Sequence, residues 1–524
     1  MLTRIRLQGF KSFEDTEVRF GPFTCIAGAN GVGKSNLFDA IQFLRDLTEF
    51  PIDVAASHVR DPAGKTGDIR TIFTQSKDAL PDVRIEADFI VPSRVYDDFN
   101  REALPAATFL RYKLELRYVA AQGKAAERIE LLEESLTHIQ KGQAKDELGF
   151  PTTPAFRKSA IENKRRGVGF ISTTNENGNT TIKLHQEGGL GGGRPFLVPA
   201  ANSNKTIVGG ITTNDYPTVL AARREMQSWI LLQLEPSSLR QPDAFSADSH
   251  LTSNGAHMAA TLLRLGAETD VSNRLANLLD DVGSVFVEKD ESRRTYTLNV
   301  SGRDGVGHSA RSLSDGTLRF LALAILAADP ESGRLMCLEE PENGIHPSRI
   351  PAILELLRDM AANTRKAVND SLRAGNQLVE KTRVAEFDTA DKTAGQLELP
   401  MENEDPADIG QTLGGDNPLR QVIINTHSPV VVSSLDINDL LMARLVRQKG
   451  ISRTVFECVE DSWRAKLDPP AAAIPLGTLL AYVSEAPTPL AESAMPSPQE
   501  EAPRLTVREY THRQEDMFGA GQAV

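Results

Sequence analysis

The sequence predicts an α/β fold in which short, apolar strands alternate with helices. Three observations carry this prediction. An apolar strand over 23–27 enters a glycine-rich loop, and helical spacing over 36–44 follows it. A second apolar strand, 335–338, ends in two carboxylates. A third, 422–424, ends shortly before a histidine. Ligands of such sheets bind at the carboxyl ends of the strands, so the polar residues found there are the candidates for chemistry.

The glycine-rich loop fits the pattern G-x-x-x-x-G-K-[ST], which cradles phosphate groups. Its glycines let the backbone wrap the phosphates, so that successive N–H groups and the helix N-terminus face the anion. Lys34 is predicted to reach the β- and γ-phosphates, and the Ser35 hydroxyl to bind Mg²⁺. The cofactors are therefore ATP and Mg²⁺. The residues assigned to the nucleotide here are Gly28, Ala29, Asn30, Gly31, Val32, Gly33, Lys34, Ser35 and Asn36.

Composition narrows the class of protein. Of the 524 residues, 40% are hydrophobic, and no apolar run is long enough to span a bilayer, so no membrane association is expected. The chain opens on an amphipathic strand, 2–7, which predicts no signal peptide. Three distant cysteines indicate a reduced, cytoplasmic protein without disulfides or a cysteine metal site. A net charge of −13 does not favour general nucleic-acid binding, although much of the acid lies within 386–416 and near Glu500.

Four domains are predicted along the chain. They are a strand-rich N-terminal lobe with the glycine loop (1–149), an inserted segment (150–215), a helical and C-terminal lobe (216–440) and an extension with a flexible tail (441–524). The inserted segment should hold a hairpin over 170–184 and a mobile glycine cluster over 188–193. Helical spacing covers 217–234 and 254–282, and strands over 285–287 and 296–300 are expected to return to the main sheet. An acidic, turn-rich insertion is placed at about 384–418.

The carboxylates that end the second strand suit hydrolysis of a phosphoanhydride. One carboxylate is needed to hold Mg²⁺ through its waters, and a second to orient and deprotonate the attacking water. We assign Glu339 to the metal and Glu340 to the general base. An acidic turn after a core strand would look the same in isolation, and it is the glycine loop upstream that favours the functional interpretation.

Two further motifs accompany these strands: one precedes the second strand, and the other follows the third. Ser314 and Gly316 precede an apolar helix over 320–328, and a small polar residue with a glycine at a helix N-terminus can bind an anion, although serine is also a routine helix cap. His427 follows the third strand and could hydrogen-bond the γ-phosphate or the attacking water. A lone histidine is usually structural, so this assignment depends on the motifs before it.

Together these motifs resemble the ABC-type ATPases, specifically the SMC/RecF-like branch. The order is P-loop, signature (313–317), Walker B (335–340) and switch histidine (His427). The segments 5–13 and 340–347 are also typical of that branch, and the closest likeness is to stand-alone bacterial ATPases, many of them in phage-defence systems. The resemblance implies an ABC-ATPase-like P-loop NTPase head with a strand-rich N-terminal lobe and inserted segments.

The chain departs from the family pattern at several points. Glu339 stands where aspartate is common, which keeps the charge but lengthens the arm, and Asp315 replaces a common signature glycine. The glutamine loop of the family is not placed, and Gln75 is one candidate. No sustained heptad pattern is present, so long coiled-coil arms are not expected.

The resemblance implies a homodimer in which Ser314 and Gly316 of one protomer close over the γ-phosphate held by Lys34 of the other, and hydrolysis assisted by Glu340 releases them. What this switch controls stays open. One interpretation is DNA, bound by a basic run that the mid-chain insertion carries: Arg157, Lys158, Lys164, Arg165 and Arg166. A second is an effector protein, such as a nuclease or toxin encoded nearby, that the ATPase holds as a sensor or scaffold. A self-contained nuclease ranks last, because fewer than 100 residues follow His427 and they lack an acidic cluster of the two-metal kind.

Overall fold

The computed structural model describes residues 1–59, 67–75, 79–123, 126–152, 154–164, 167, 169–176, 179–187, 194–200, 203–279, 282–361, 419–448, 451–467 and 471–484. Several predictions fall outside these ranges and are not addressed by it. They are the acidic insertion at about 384–418, the glycine cluster 188–193, the hairpin turn at 177–178, the basic residues 165–166 and the tail after 484.

A six-stranded sheet forms the centre of the half of the molecule that carries the glycine loop. Numbered in chain order, its strands are β3 (Phe23–Ala27), β12 (Trp229–Leu232), β17 (Leu335–Glu339), β18 (Gln421–Thr426), β19 (Leu440–Gln448) and β20 (Ile451–Cys458). Their spatial order is β12-β17-β18-β3-β19-β20, and every pair is parallel except β19 with β20. Every residue of β3 and β18 is buried, as expected for strands covered on both faces. The three predicted apolar strands are thus confirmed and lie side by side.

An eight-stranded antiparallel sheet forms the second layer. Its strands are β1 (Leu2–Phe10), β2 (Phe13–Arg19), β4 (Val83–Ile90), β7 (Phe109–Val119), β8 (Arg128–His138), β9 (Ile171–Glu176), β10 (Asn179–Leu184) and β11 (Phe196–Pro199). They run in the order β11-β10-β9-β8-β7-β4-β1-β2. The hairpin predicted within 170–184 is present as β9 and β10. It extends the sheet of the N-terminal segment, while the limits of the four domains stay predictions.

Two small antiparallel sheets lie apart from these layers. One contains β13 (Asp243–Ala244), β14 (Ser284–Asp290), β15 (Thr295–Ser301) and β16 (Gly307–Ser309), and the other β5 (Val95–Tyr96) and β6 (Glu102–Ala103). The prediction that the strands near 285 and 296 return to the main sheet is wrong. Most of β14 is exposed or only partly buried, which suits a surface sheet with one covered face rather than a central parallel one.

Helices cover the faces of the sheets. They are α1 (Lys34–Asp46), α2 (Ile52–His58), α3 (Ala144–Leu148), α4 (Pro154–Ala160), α5 (Ile207–Gly210), α6 (Pro217–Gln227), α7 (Pro236–Leu239), α8 (Met258–Leu265), α9 (Glu268–Leu278), α10 (Asp315–Ala328), α11 (Ile350–Met360), α12 (Pro429–Ser433) and α13 (Leu476–Ser484), with 3-10 turns at Ile69–Ile72, Ala310–Ser312, Pro347–Arg349 and Trp463–Lys466. No helix in these ranges is both long and apolar enough to cross a membrane.

Two helix predictions need correction. The helix expected over 217–234 ends at Gln227, because the apolar run that follows it is strand β12, and a run this short does not distinguish strand from helix by periodicity. The pattern over 254–282 is two helices, α8 and α9, separated at Gly266, whose φ of 59° ends α8 in a left-handed cap.

The six-stranded sheet separates two hydrophobic cores. Alternate residues of β3 contribute to opposite sides: Ile26 joins the core shared with α1 and the eight-stranded sheet, whereas Phe23 and Cys25 join the core shared with α10 and α11. All three cysteines are buried as free thiols. This packing fixes the central strands, so that their carboxyl ends form a rigid edge on which a site can be built.

Candidate nucleotide-binding site

The candidate site lies at the carboxyl edge of β3, β18 and β17, three adjacent parallel strands. In the ladder, Glu339 of β17 is level with Asn425 of β18, and Thr426 is level with Ala27 of β3. The glycine loop, the glutamates and His427 therefore leave the sheet at the same level.

The glycines of the loop occupy positions that other residues would not fit. Gly28 has a φ of 153°, and a Cβ there would lie 2.4 Å from the Ala443 carbonyl oxygen on β19. Gly33 has a φ of 96°, and a Cβ there would lie 2.2 Å from Thr454 Oγ1. Gly31 is also left-handed at 78°, but a Cβ on this residue would meet nothing within 4 Å. The loop is therefore pressed against β19 and β20 at its two ends and open in its middle.

A chain of polar contacts holds the loop from the side of β20. Asn36 Nδ2 donates to Ser12 Oγ at 2.8 Å, and Ser12 Oγ lies 2.7 Å from Thr454 Oγ1. Thr454 Oγ1 in turn donates to the carbonyl oxygen of Val32 at 2.8 Å. Asn36, predicted to bind nucleotide, thus has a structural role in bracing the loop.

Lys34 closes the loop on itself. Its Nζ donates to the carbonyl oxygens of Gly28 at 2.7 Å and Ala29 at 2.9 Å, and the side chain is largely buried. Burial lowers the pKa of the lysine, while the carboxylates of Glu340, Glu342 and Glu339 act in the opposite direction. The N-cap of α1, Gly33, has no side chain to cap the helix, and although the Asn36 N–H donates to the Gly33 carbonyl oxygen at 3.1 Å, the Lys34 and Ser35 N–H groups have no acceptor within the described residues and can bind an anion. This donor set fits a polyphosphate.

Ser35 and Glu339 line one cleft of about 690 Å³. A hydroxyl and a carboxylate are oxygen ligands of the kind that Mg²⁺ prefers. Glu339 is the last residue of β17, and its Oε1 lies 3.5 Å from Nδ2 of Asn425 on the neighbouring strand β18. The two predicted metal ligands are thus brought to the same cleft.

Glu340 adopts a strained backbone conformation, with a φ of 45°. Its N–H donates to the carbonyl oxygen of Asn425 at 3.1 Å and to Asn425 Oδ1 at 3.0 Å, and these bonds hold the turn. Its Oε1 lies 2.9 Å from His427 Nδ1, and its Oε2 accepts from Asn343 Nδ2 at 2.7 Å. The predicted base and the predicted switch histidine therefore form a direct pair.

The signature residues lie on a different element, at the start of α10. Ser314 is exposed and caps α10, its Oγ accepting from the Thr317 N–H at 3.2 Å. Gly316 lies in the first turn of the same helix. Within the described ranges, neither residue hydrogen-bonds to the loop at 28–36. One chain thus assembles the loop, the glutamates and His427, but not the signature.

Glu342 is a third glutamate at this edge, and the sequence motifs do not single it out. It is buried, its Oε1 accepts a hydrogen bond from Thr426 Oγ1, and its Oε2 is buried and has no hydrogen-bond partner among the described residues. Burial raises the pKa of this carboxyl. The run E-E-P-E shows a third glutamate in the sequence. Only the structure shows that this carboxylate is buried and bonded to Thr426, at the end of β18.

Gln233 is a second site residue that the sequence does not reveal. It directly follows β12, the neighbour of β17, and it lines the same cleft as Ser35 and Glu339. Gln75, the sequence candidate for the glutamine loop, is exposed and does not line this cleft. The sequence pattern assigns the segment of Gln233 to a helix. The position of Gln233 at the end of a strand, and hence in the cleft, could therefore not be predicted.

The fold and the site together define a P-loop nucleotide-binding domain, and family comparisons agree. Residues 1–50 match the model of the RecF/RecN/SMC N terminal domain. Residues 212–379 match an AAA-domain model whose description carries a provisional link to the AbiEii toxin of type IV toxin–antitoxin systems. These matches confirm the predicted likeness to ABC/SMC-type ATPases.

Individual proteins align with this chain over about a quarter to most of its length. A Sinorhizobium fredii protein described as an uncharacterized ABC transporter ATP-binding protein is 31% identical over 138 residues, which is 26% of this chain and 27% of that protein. The chain thus spans about a quarter of this relative's length. Among solved structures, an SMC head bound to the C-terminal winged-helix domain of ScpA aligns at 13% identity and a TM-score of 0.43, covering 88% of this chain and 98% of that one. The SMC head domain of Thermotoga maritima aligns at 13% identity and a TM-score of 0.34, covering 88% and 99%.

Proposed function

We propose that this protein is an ATP-hydrolysing dimer switch: two copies bind ATP and Mg²⁺, close over the nucleotides and separate after hydrolysis. The observation that carries the proposal is the Glu340–His427 pair beside the Lys34 loop. The backbone of Glu340 is strained and is held by Asn425 at the end of a central strand, and its carboxylate, paired with His427, has little packing role and suits general-base chemistry.

The roles of the chain's own residues follow from their contacts. The loop N–H groups and Lys34 would hold the phosphates, with the lysine exchanging its bonds to the Gly28 and Ala29 carbonyls for phosphate oxygens. Ser35 and Glu339 would hold Mg²⁺, which when bound neutralises charge on the phosphates. Glu340 Oε1 would accept a proton from the attacking water, and His427 would orient that carboxylate.

The dimer is inferred from the position of the signature. Ser314 is exposed at the N-terminus of α10, and within the described ranges neither it nor Gly316 hydrogen-bonds to the loop at 28–36. A second copy could bring this surface to the γ-phosphate and complete the site in trans, as the family resemblance implies. ATP binding would then be read out as association of two heads.

A protein effector is the output that we favour. Two of the three described members of the basic run have partners of their own: Arg157 donates to the Thr152 carbonyl oxygen at 2.6 Å, and Lys164 pairs with Glu162 at 2.9 Å. The family match that mentions a toxin–antitoxin system also supports a role in cellular defence, with the ATPase controlling an effector. DNA binding through residues 157–166 is the alternative, and it predicts salt-sensitive stimulation by duplex DNA.

The first test is Glu340→Gln. We expect ATP turnover to fall by roughly 10²- to 10⁴-fold, the range for loss of a general base, while ATP binding is retained and dimer accumulates. Turnover is measured by phosphate release with and without duplex DNA at two salt concentrations, and dimer by analytical ultracentrifugation. Glu355→Gln, an exposed position on α11, is the matched control and should behave as wild type. A Glu340→Gln protein that hydrolyses ATP at the wild-type rate would exclude this assignment.

A further inference from the structure

We propose that Arg240 is a positioning residue that links the glutamine side of the nucleotide cleft to the signature loop of the same chain. The inference rests on the proposed dimer switch and names the residue that would keep the signature in a form that a second copy can use. It is carried by the contacts of Arg240 with residues 313 and 315, on the loop that begins α10.

Arg240 directly follows α7 and contacts both sides of the signature turn. Its Nη2 donates to the Leu313 carbonyl oxygen at 3.0 Å and to Asp315 Oδ1 at 2.5 Å. Its Nη1 donates to the Pro236 carbonyl oxygen at 3.1 Å, which ties the guanidinium to its own helix. The planar fork of arginine fixes direction as well as charge, so these bonds restrain the backbone on either side of Ser314.

The signature turn also lies against the loop that begins at Glu340. A Cβ at Gly316 would be 3.1 Å from the Gly344 carbonyl oxygen, and a Cβ at Gly344 would be 3.6 Å from the Asp315 side chain. Asn343, the residue before Gly344, donates to Glu340 Oε2. The signature turn is therefore in contact with both Arg240 and the loop of the general base.

The segment 233–240 provides a short physical connection from the cleft. Gln233 lines the cleft with Ser35 and Glu339 at one end, and Arg240 contacts the signature at the other. Between them, Leu234 and Leu239 are buried in the core shared with α10, so the segment is anchored rather than free. A displacement of Gln233 on nucleotide binding would be passed through this segment to the signature loop.

The ion pair with Arg240 explains why aspartate is present at position 315. It replaces a common signature glycine, a departure that the family pattern leaves without an explanation. Here its carboxylate is the partner of Arg240, and both side chains are partly exposed, at 47% and 29%. Exposed ion pairs contribute little to the stability of a fold, so variants at either position should remain folded.

The experiment uses the full chain in the Glu340→Gln background, so that hydrolysis does not reverse association. Arg240→Ala and Asp315→Ala are each expected to weaken ATP-driven dimerisation about tenfold, with little further loss in the double variant. Arg240→Lys, which keeps the charge but not the fork, should recover part of the affinity. ATP binding by the monomer, measured with a fluorescent ATP analogue below the dimerisation range, should be unchanged. The matched control is Arg274→Ala, which removes another exposed arginine–aspartate pair, on α9.

Hydrogen exchange on the nucleotide-free chain separates this inference from the proposed function. Arg240→Ala should raise exchange in peptides covering 312–318, and unchanged exchange there would overturn the positioning role. Equal dimerisation in parent and Arg240→Ala would overturn the link to the partner. If the Glu340→Gln parent itself forms no ATP-driven dimer, the dimer switch fails, and the role of Arg240 in association fails with it.

Discussion

Helices α1 and α10 both begin at a motif assigned to the nucleotide, but their N-termini are built differently. The N-cap of α1 is Gly33, which offers no side-chain acceptor to the first N–H groups. The N-cap of α10 is Ser314, whose hydroxyl accepts from the Thr317 N–H. The surroundings differ as well, because the loop before α1 is pressed against two strands, whereas Ser314 is exposed.

The difference indicates which ligand each terminus is built to receive. At α1 no side chain caps the first turn: the Asn36 N–H donates to the Gly33 carbonyl oxygen, but within the described residues the Lys34 and Ser35 N–H groups have no protein acceptor, as in a site completed by an anion bound to the same chain. At α10 a serine hydroxyl caps the first turn, and the terminus is exposed at the surface, where a ligand bound to another molecule could reach it.

A third helix, α5, has an N-terminus whose first N–H groups are bonded to a side chain of the same chain. The N–H groups of Ile207 and Val208, which begin α5, donate to the two carboxylate oxygens of Glu134 at 2.6 and 3.0 Å. Glu134 lies on β8 and is fully buried, and the Tyr112 hydroxyl donates to the same carboxylate. Here a carboxyl group of the same chain accepts from the first N–H groups of the helix, which leaves no place for a ligand.

The largest effect is expected when the backbone at α1 is disturbed. Gly33→Ala places a Cβ within 2.2 Å of Thr454 Oγ1 at a φ of 96°. Strain and clash together should cost roughly 3 kcal/mol or more, and because the loop must move to relieve them, ATP affinity should fall by about 100-fold or more. Calorimetric titration with ATP measures this loss.

Gly31→Ala is the comparison for that experiment. Gly31 is also left-handed, at 78°, but a Cβ there meets nothing within 4 Å, so only the backbone cost of about 1–2 kcal/mol applies. Equal losses in the two variants would mean that the contact of Gly33 with Thr454 does not shape the loop.

The next effect concerns the pH dependence of stability at the N-terminus of α5, which is bonded to Glu134. Burial raises the pKa of the Glu134 carboxyl to about 7, from an ordinary value of 4.5, although the donors from α5 act in the opposite direction. Since the folded state holds this proton more tightly than the unfolded chain does, ionisation destabilises the fold. Its contribution is therefore most favourable below pH 4.5, is lost as the pH rises to about 7, and is constant above that.

Glu134→Gln removes this titration. Between pH 5 and pH 8, the free energy of unfolding of the wild type should fall by roughly 2 kcal/mol relative to the variant. Urea unfolding of both proteins at the two pH values measures the difference. A constant difference between the two proteins, whatever its size, would show that Glu134 does not titrate in this range.

The parts of the site that lie within a few residues of each other are predictable from the sequence. Gly33, Lys34 and Ser35 are fixed by a local pattern, because a strand, a glycine turn and a helix start are all short-range structures. Glu339 and Glu340 are recognisable because the strand before them is wholly apolar. That Glu340 and His427 belong to one site is predicted only from the order of the motifs along the chain. In the structure, Glu340 Oε1 lies 2.9 Å from His427 Nδ1.

The parts that could not be predicted depend on contacts between distant segments. Thr454 and Ser12 brace the same loop from positions more than 400 residues apart, and nothing local marks them. Gln233 is hidden because four apolar letters before it fit a helix as well as a strand. The prediction places β14 and β15 in the wrong sheet, since their sequence shows a strand period but not which strands they pair with.

The smallest effect is expected at α10, and it tests whether Ser314 is more than a cap. Ser314→Ala removes both the cap and the hydroxyl and should lower the free energy of unfolding by about 1 kcal/mol, whereas Ser314→Gly keeps most of the cap preference and should lower it by only a few tenths. Both lack the hydroxyl proposed to reach the partner's γ-phosphate. In the Glu340→Gln background, both should therefore weaken ATP-driven dimerisation, as measured by ultracentrifugation, while monomer binding of ATP is retained. If dimerisation instead followed stability, with only Ser314→Ala impaired, the hydroxyl would serve the helix alone, and the two termini would differ in exposure but not in the ligand they receive.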